Sequence, residues 1–186
     1  MTGYAFCGSF CTLGRSVEEL RSLVLRGVEV QPIVSDAVFT KDTRFNKAKD
    51  FCSQIESICK RRVIHTIEGA EPLGPAIPLD ALIISPCTGN TLAKIAHGIT
   101  DTPVTMATKA HLRCDRPLLI ALATNDAMSQ NLSNIGTLLG RKSVYFVPLS
   151  QDDPKNKPHS LVADFSRLCE AYDAMLEKKQ LRPLFI

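Results

Sequence analysis

A chain of 186 residues, 45% hydrophobic and 22% charged, has the balance of a soluble globular protein long enough to bury a core without disulfide or metal staples. Its formal net charge of +3 is too small to signal a nucleic-acid surface, and no stretch reaches the roughly 18 apolar residues of a membrane span. Seven cysteines, odd in number, irregularly spaced and without a CxxC or HxxxH pair, argue against a disulfide framework or structural zinc site and read as reduced thiols in a cytoplasmic protein.

Short apolar runs alternate with amphipathic ones along the chain. YAFCG (4–8) predicts a first strand. A helix follows, with Ser16 and Glu19 at capping-box spacing, Leu20, Leu23 and Val24 on one face, and Gly27 at its end. VEVQPIV (28–34) predicts the second strand, and 46–61 a helix with Ala48, Phe51, Cys52, Ile55, Ile58 and Cys59 at helical spacing. VIH (63–65) predicts a short third strand, and the three prolines and two glycines of 68–80 a loop. The fourth, fifth and sixth strands are ALIIS (81–85), LLIALA (118–123) and VYFV (144–147), with helices at about 91–98, 103–112 and 127–139 between them. The polar segment 148–160 precedes a last helix at about 160–179, which carries Leu161, Phe165, Leu168, Cys169, Tyr172 and Leu176 on one stripe.

Continuously apolar strands alternating with helices predict a Rossmann-like α/β domain over 1–186, with a doubly wound, mainly parallel sheet of about six strands between two helical layers. Ligands of such sheets bind at the carboxyl ends of the strands. Those ends read Gly8-Ser9, Ser35-Asp36, His65-Thr66, Cys87-Thr88-Gly89-Asn90-Thr91 and Thr124-Asn125-Asp126. All are small or hydrogen-bonding, and several open helices, whose first N–H groups and positive dipole ends suit an anion. Gly89 in particular permits close approach of a ligand to the backbone. The dinucleotide fingerprint GxGxxG and the phosphate loop GxxxxGK[ST] are both absent.

SPCTGNTLAKIAHG (85–98) resembles the PASANT-type motif, with its following TxAK helix, of the flavoprotein family that includes the flavin-containing cysteine decarboxylases. IALATNDAMSQN (120–131) resembles the family's second motif, PxMNxxM, with Asn125 and Met128 in place. The likeness extends over nearly the whole chain, through PLDALIISPCTGNTLAK, ITDTPVTMATKAHLR and YFVPLSQDDP. It implies FMN in the crevice, with Gly8, Ser9 and Ser35 at the phosphate and Cys87, Thr88, Gly89, Asn90 and Thr91 along the ring side. It also implies that Asn125 faces the ring or substrate, and that His65 is the counterpart of the family's active-site histidine.

The resemblance further implies a B-type component of a two-component oxidoreductase of sporulating cells. That enzyme converts a dihydrodipicolinate-type cyclic imine to pyridine-2,6-dicarboxylate, with NAD(P) on its A component. It implies a homo-oligomer, a trimer or a multiple of it, for which the segment from Asn125 to Leu139 is a candidate contact. Arg15, Lys41, Arg44, Lys109 and Arg113 are candidate cations for a dicarboxylate, and Gln151-Asp152-Asp153-Pro154 is a candidate for the neighbourhood of the active site or partner. Two alternatives stand beside this reading: an FMN-dependent decarboxylase of a cysteine-derived carboxylate, and a non-catalytic phosphate-binding subunit. Leu122 and Thr124, where the decarboxylases carry proline and methionine, depart from the first of these.

Overall fold

The computed structural model describes residues 1–186. Its strands are β1 (Thr2–Phe6), β2 (Val30–Val34), β3 (Ala81–Cys87), β4 (Leu118–Thr124), β5 (Val144–Phe146), β6 (Leu149–Ser150) and β7 (Leu161–Ala163). The helices are α1 (Leu13–Leu25), α2 (Asp36–Thr40), α3 (Ala48–Cys59), α4 (Ile67–Ala70), α5 (Gly89–Ala96), α6 (Pro103–Leu112), α7 (Leu132–Leu139) and α8 (Leu168–Leu176). A 3-10 turn over Phe10–Thr12 leads into α1.

Strands β2, β1, β3, β4 and β5 lie side by side and parallel. The chain steps from β1 to one side for β2 and returns to the other side for β3, so the winding reverses between β1 and β3. Beyond the residues that pair with β5, the end of β4 pairs antiparallel with β7, and β7 with β6. The sheet is therefore mixed and seven-stranded, where the sequence predicts about six strands.

The core is the sheet. β1, β3 and the body of β4 are buried along their length because helices cover both faces, which is why these strands read as continuous apolar runs rather than alternating ones. α1 lays Leu13, Val17, Leu20 and Leu23 against the sheet and terminates where Gly27 takes a φ of +85°, a conformation glycine adopts without Cβ strain. α3 buries Ala48, Phe51, Cys52, Ile55 and Cys59, five of the six positions its spacing picks out. α6 begins at Thr102, whose hydroxyl caps Thr105 N–H while Thr105 Oγ1 accepts from Thr102 N–H, and Pro103 occupies the first turn, where its missing N–H costs no helical bond.

Four expectations are corrected. Ser16 does not start α1. It lies inside the helix, fully buried, and donates to the Ser85 carbonyl at 2.6 Å with the Tyr4 hydroxyl 3.0 Å away, so this serine ties α1 to β1 and β3. Residues 63–65 form no full strand: Ile64 alone bridges to β2, exchanging bonds with Pro32 and Val34. The span 127–139 is helical only from Leu132, because Asp126 gathers Asn131 and Ser129 into turns first. The span 160–179 opens as β7 and a 3-10 turn before α8, because Leu161 and Val162 pair with Thr124 and Ala123.

Candidate functional site

A crevice of about 540 Å³ opens where the carboxyl ends of β1, β3 and β4 meet. It lies at the reversal between β1 and β3, the place where open α/β sheets leave room for a ligand between diverging connections. One wall is Gly8, Ser9 and the 3-10 turn, including Cys11 and Thr12, with Arg15 one turn further on. A second is the start of α5, with Thr88, Gly89 and Asn90. The third is Ala123, Thr124 and Asn125 with Val162 of β7, and Asp152 and Lys157 reach it from the loop between β6 and β7.

Local bonds decide which polar groups are spent and which are open. Thr88 is the N-cap of α5: its Oγ1 accepts from Thr91 N–H at 3.2 Å and donates to Thr91 Oγ1 at 3.1 Å. Thr91 is thereby turned inward and 8% exposed, while Gly89 and Asn90 carry the remaining N–H groups of the first turn. Ser9 accepts from Thr12 Oγ1 at both its carbonyl and its hydroxyl, which leaves the Ser9 hydroxyl proton free. The side-chain amides of Asn90 and Asn125 border the crevice and have no hydrogen-bond partner within the chain. Arg15 has no ion-pair partner, whereas Lys157 is paired with Asp152 at 2.8 Å. Hydrogen bonding from Lys157 holds the Asp152 carboxyl below the usual carboxylate range. The uncompensated charge of the crevice is therefore the Arg15 guanidinium, supported by two helical starts.

The third wall is built on one carboxylate. Asp126 Oδ1 accepts from Thr124 Oγ1 and from Asn131 Nδ2 at 2.9 Å, and Asn134 Nδ2 donates onward to Asn131 Oδ1 at 2.9 Å. The Thr124 bond, and after it that of Asn131, lowers the Asp126 pKa. This cluster packs onto the Cα of Gly89, where a Cβ would lie 2.5 Å from Thr124 Oγ1, 2.7 Å from Asn131 Nδ2 and 2.8 Å from Asp126 Oδ1. The backbone of Gly89 borders the crevice, but the space its missing side chain leaves is filled by the turn after β4. That differs from the sequence expectation of close ligand approach.

Gly8, Ser9, Thr88, Gly89, Asn90 and Asn125 come together at the crevice. Ser35, Cys87, Thr91 and His65 do not line it. Ser35 is the N-cap of α2, with its hydroxyl 3.5 Å from Val38 N–H. Cys87, the last residue of β3, points into the core beside Cys7, and burial raises its thiol pKa well above the usual value. His65 lies beyond β2, two strand spacings or roughly 10 Å from β1, and stacks on Phe39 with centroids 3.7 Å apart. It lines a separate depression with Lys49, Glu56 and Arg62. Sequence reasoning missed Cys11, Thr12, Asp126, Asn131 and Lys157. The Asp126 cluster carried a visible signal in the strand-end run Thr124-Asn125-Asp126, while Lys157 reaches the wall only through the antiparallel β6–β7 excursion.

A doubly wound sheet with an anion-suited crevice at its first reversal, lined by open amides and one free guanidinium, has the architecture of a nucleotide- or flavin-binding α/β protein. The family model described as Flavoprotein matches residues 3–164, and the chain belongs to that family. It is a homologue of the B subunit of dipicolinate synthase, being 39% identical to that protein of Bacillus subtilis (strain 168) over 184 residues, 99% of this chain and 92% of the relative. The crystal structure of the dipicolinate synthase B subunit from Bacillus halodurans C superposes with a TM-score of 0.91 at 38% identity, over 100% of this chain and 95% of that one. The FMN-dependent cysteine decarboxylase SpaF shares the fold at 22% identity, with a TM-score of 0.67 over 95% of each chain. No helix is long and apolar enough to cross a membrane.

Proposed function

We propose that this chain is the flavin-binding subunit of a dipicolinate synthase, working with the nicotinamide-binding A subunit of dipicolinate synthase to oxidise a dihydrodipicolinate-type imine in the mother cell of a sporulating bacterium. The observation that carries the reading is the convergence of Arg15, the Ser9 hydroxyl and the first turn of α5 on one crevice whose remaining polar lining, Asn90 and Asn125, is unspent. A phosphate-bearing ligand with a flat, hydrogen-bonding ring fits that donor set. The volume of about 540 Å³ is ordinary for a ligand pocket, which spans roughly 300–1,000 Å³.

Ser9, Arg15 and the helical starts hold the phosphate of FMN, and Asn90 and Asn125 orient its ring or the substrate. FMN, when bound, supplies a two-electron acceptor. Ala123 and Val162 give the crevice a small apolar surface, and the Asp152–Lys157 pair borders it without adding net charge. Aromatising the substrate removes a hydride and a proton. The final oxidant is NAD(P)+ on the partner protein, because this chain has no GxGxxG turn to seat a dinucleotide pyrophosphate.

Assembly as a trimer, or a multiple of one, belongs to the same proposal. Within the candidate contact from Asn125 to Leu139, Ile135 and Leu138 are core residues, and Leu132, 51% exposed, is the apolar side chain left for a neighbour. Reconstitution tests the reading: the nicotinamide-binding partner and this chain, each purified, are mixed with dihydrodipicolinate and NAD(P)+, and dipicolinate is followed by ultraviolet absorbance. The mixture is expected to outpace either protein by itself. A partner that is as fast alone as in the mixture overturns the proposal.

A further inference from the structure

A second groove, of about 340 Å³, shares no residue with the crevice. It runs between the end of α5, one stripe of α6 and the turn after α7. Lys109 in the last turn of α6, Arg113 just after its end, and Arg141 converge on it, and no Asp or Glu lines it. None of the three cations enters an ion pair, and the carboxylate near the end of α5, Asp101, is already held by Lys94 at 2.8 Å. Like charges spaced i, i+4 on a helix repel, so the arrangement is mildly unfavourable without a counter-anion. Of the three hydroxyls of the groove two are spent, Thr105 donating to the Thr102 carbonyl and Thr108 to the Val104 carbonyl, while that of Thr100 has no partner within the chain. What remains to recognise a ligand is positive charge and the Thr100 hydroxyl over an apolar surface of Ile95, Leu112 and Ile99, the last 47% exposed.

We propose that this groove is a binding site for a compact dicarboxylate with an apolar ring or chain. Three cations match two carboxylates, the isoleucines and Leu112 match the body between them, and a volume near the small end of ligand pockets limits its size. The site is separate from the crevice and does not depend on the flavin reading.

The test is a methyl-resolved NMR titration of the full chain with benzene-1,3-dicarboxylate at constant ionic strength. Benzoate and inorganic phosphate serve as comparison ligands. The expected result is a saturable shift of the Ile95 and Ile99 methyls, weakened on the order of tenfold by Arg113→Gln or by Arg141→Gln and unaffected by Arg15→Gln in the crevice. The proposal is overturned if these methyls do not respond at millimolar ligand, or if phosphate or benzoate is as effective. It is equally overturned if the two groove variants change the sedimentation coefficient and leave the titration intact, which makes the groove a contact between chains.

Discussion

Replacing Gly89 by alanine puts a methyl group into a space already filled. The nearest atoms would be Thr124 Oγ1 at 2.5 Å, Asn131 Nδ2 at 2.7 Å and Asp126 Oδ1 at 2.8 Å, against an ordinary contact of about 3.5 Å. Two of the three are hydrogen-bonded to the third, so none can swing away without breaking a bond to a carboxylate. Overpacking of this kind costs about 1–3 kcal/mol. A lost bond to a charged group costs about 1.5–3 kcal/mol more. Alanine returns about 0.5–1 kcal/mol of backbone entropy. The net expectation is a destabilisation of about 1.5–5.5 kcal/mol, or about 3–22 °C in Tm for a chain of this length. Thermal unfolding followed by circular dichroism measures it. Thr124→Ala in the same chain removes the closest clash and should recover part of the loss, a coupling of about 0.5–3 kcal/mol. A Gly89→Ala protein that melts at or above the wild-type temperature refutes the claim that the β4–α7 turn packs on this glycine.

Asp126 should make the protein sensitive to acid. Its folded-state pKa is lowered, so its contribution is complete above the ordinary value of 3.8 and is lost as the pH falls through the lower folded-state value. Melting curves of wild type and Asp126→Asn should differ near neutrality and converge in acid. Arg15→Gln should weaken FMN or phosphate binding about tenfold while leaving Tm unchanged, because the side chain is exposed and holds no partner in the fold. Cys11, exposed on the crevice wall, should be the first thiol to react with Ellman's reagent and should be protected by a crevice ligand. Buried Cys7, its thiol pKa pushed up to about 11 by desolvation, should react only on unfolding, as should Cys87.

Much of this arrangement was readable from residue type alone. Continuous apolar runs marked β1, β2, β3 and β4, and the helical pattern over 103–112 marked α6. The small polar residues that follow β1, β3 and β4 border the crevice, because a parallel sheet brings its carboxyl ends to one side, whereas those after β2 and Ile64 lie away from it. What escaped depends on partners far away in sequence. Ser16 looks like a cap until Tyr4 and Ser85 are brought to it across the sheet. Leu161, Phe165 and Leu168 have helical spacing, yet β7 exists because the end of β4 offers an open edge. Cys87 and Thr88 differ by one position. One is the last inward residue of a strand and the other the first cap of a helix, and only the strand's end point decides which faces the crevice.

FMN is proposed to sit in the crevice between the 3-10 turn and α5. An equilibrium titration of the purified chain with FMN, read by flavin fluorescence and visible absorbance, tests it most directly. Saturable, equimolar binding is expected, slowing Cys11 modification and weakening in Arg15→Gln. Flavin fluorescence that stays unquenched at protein concentrations well above the FMN concentration, or binding indifferent to both Arg15 and Cys11, would contradict it.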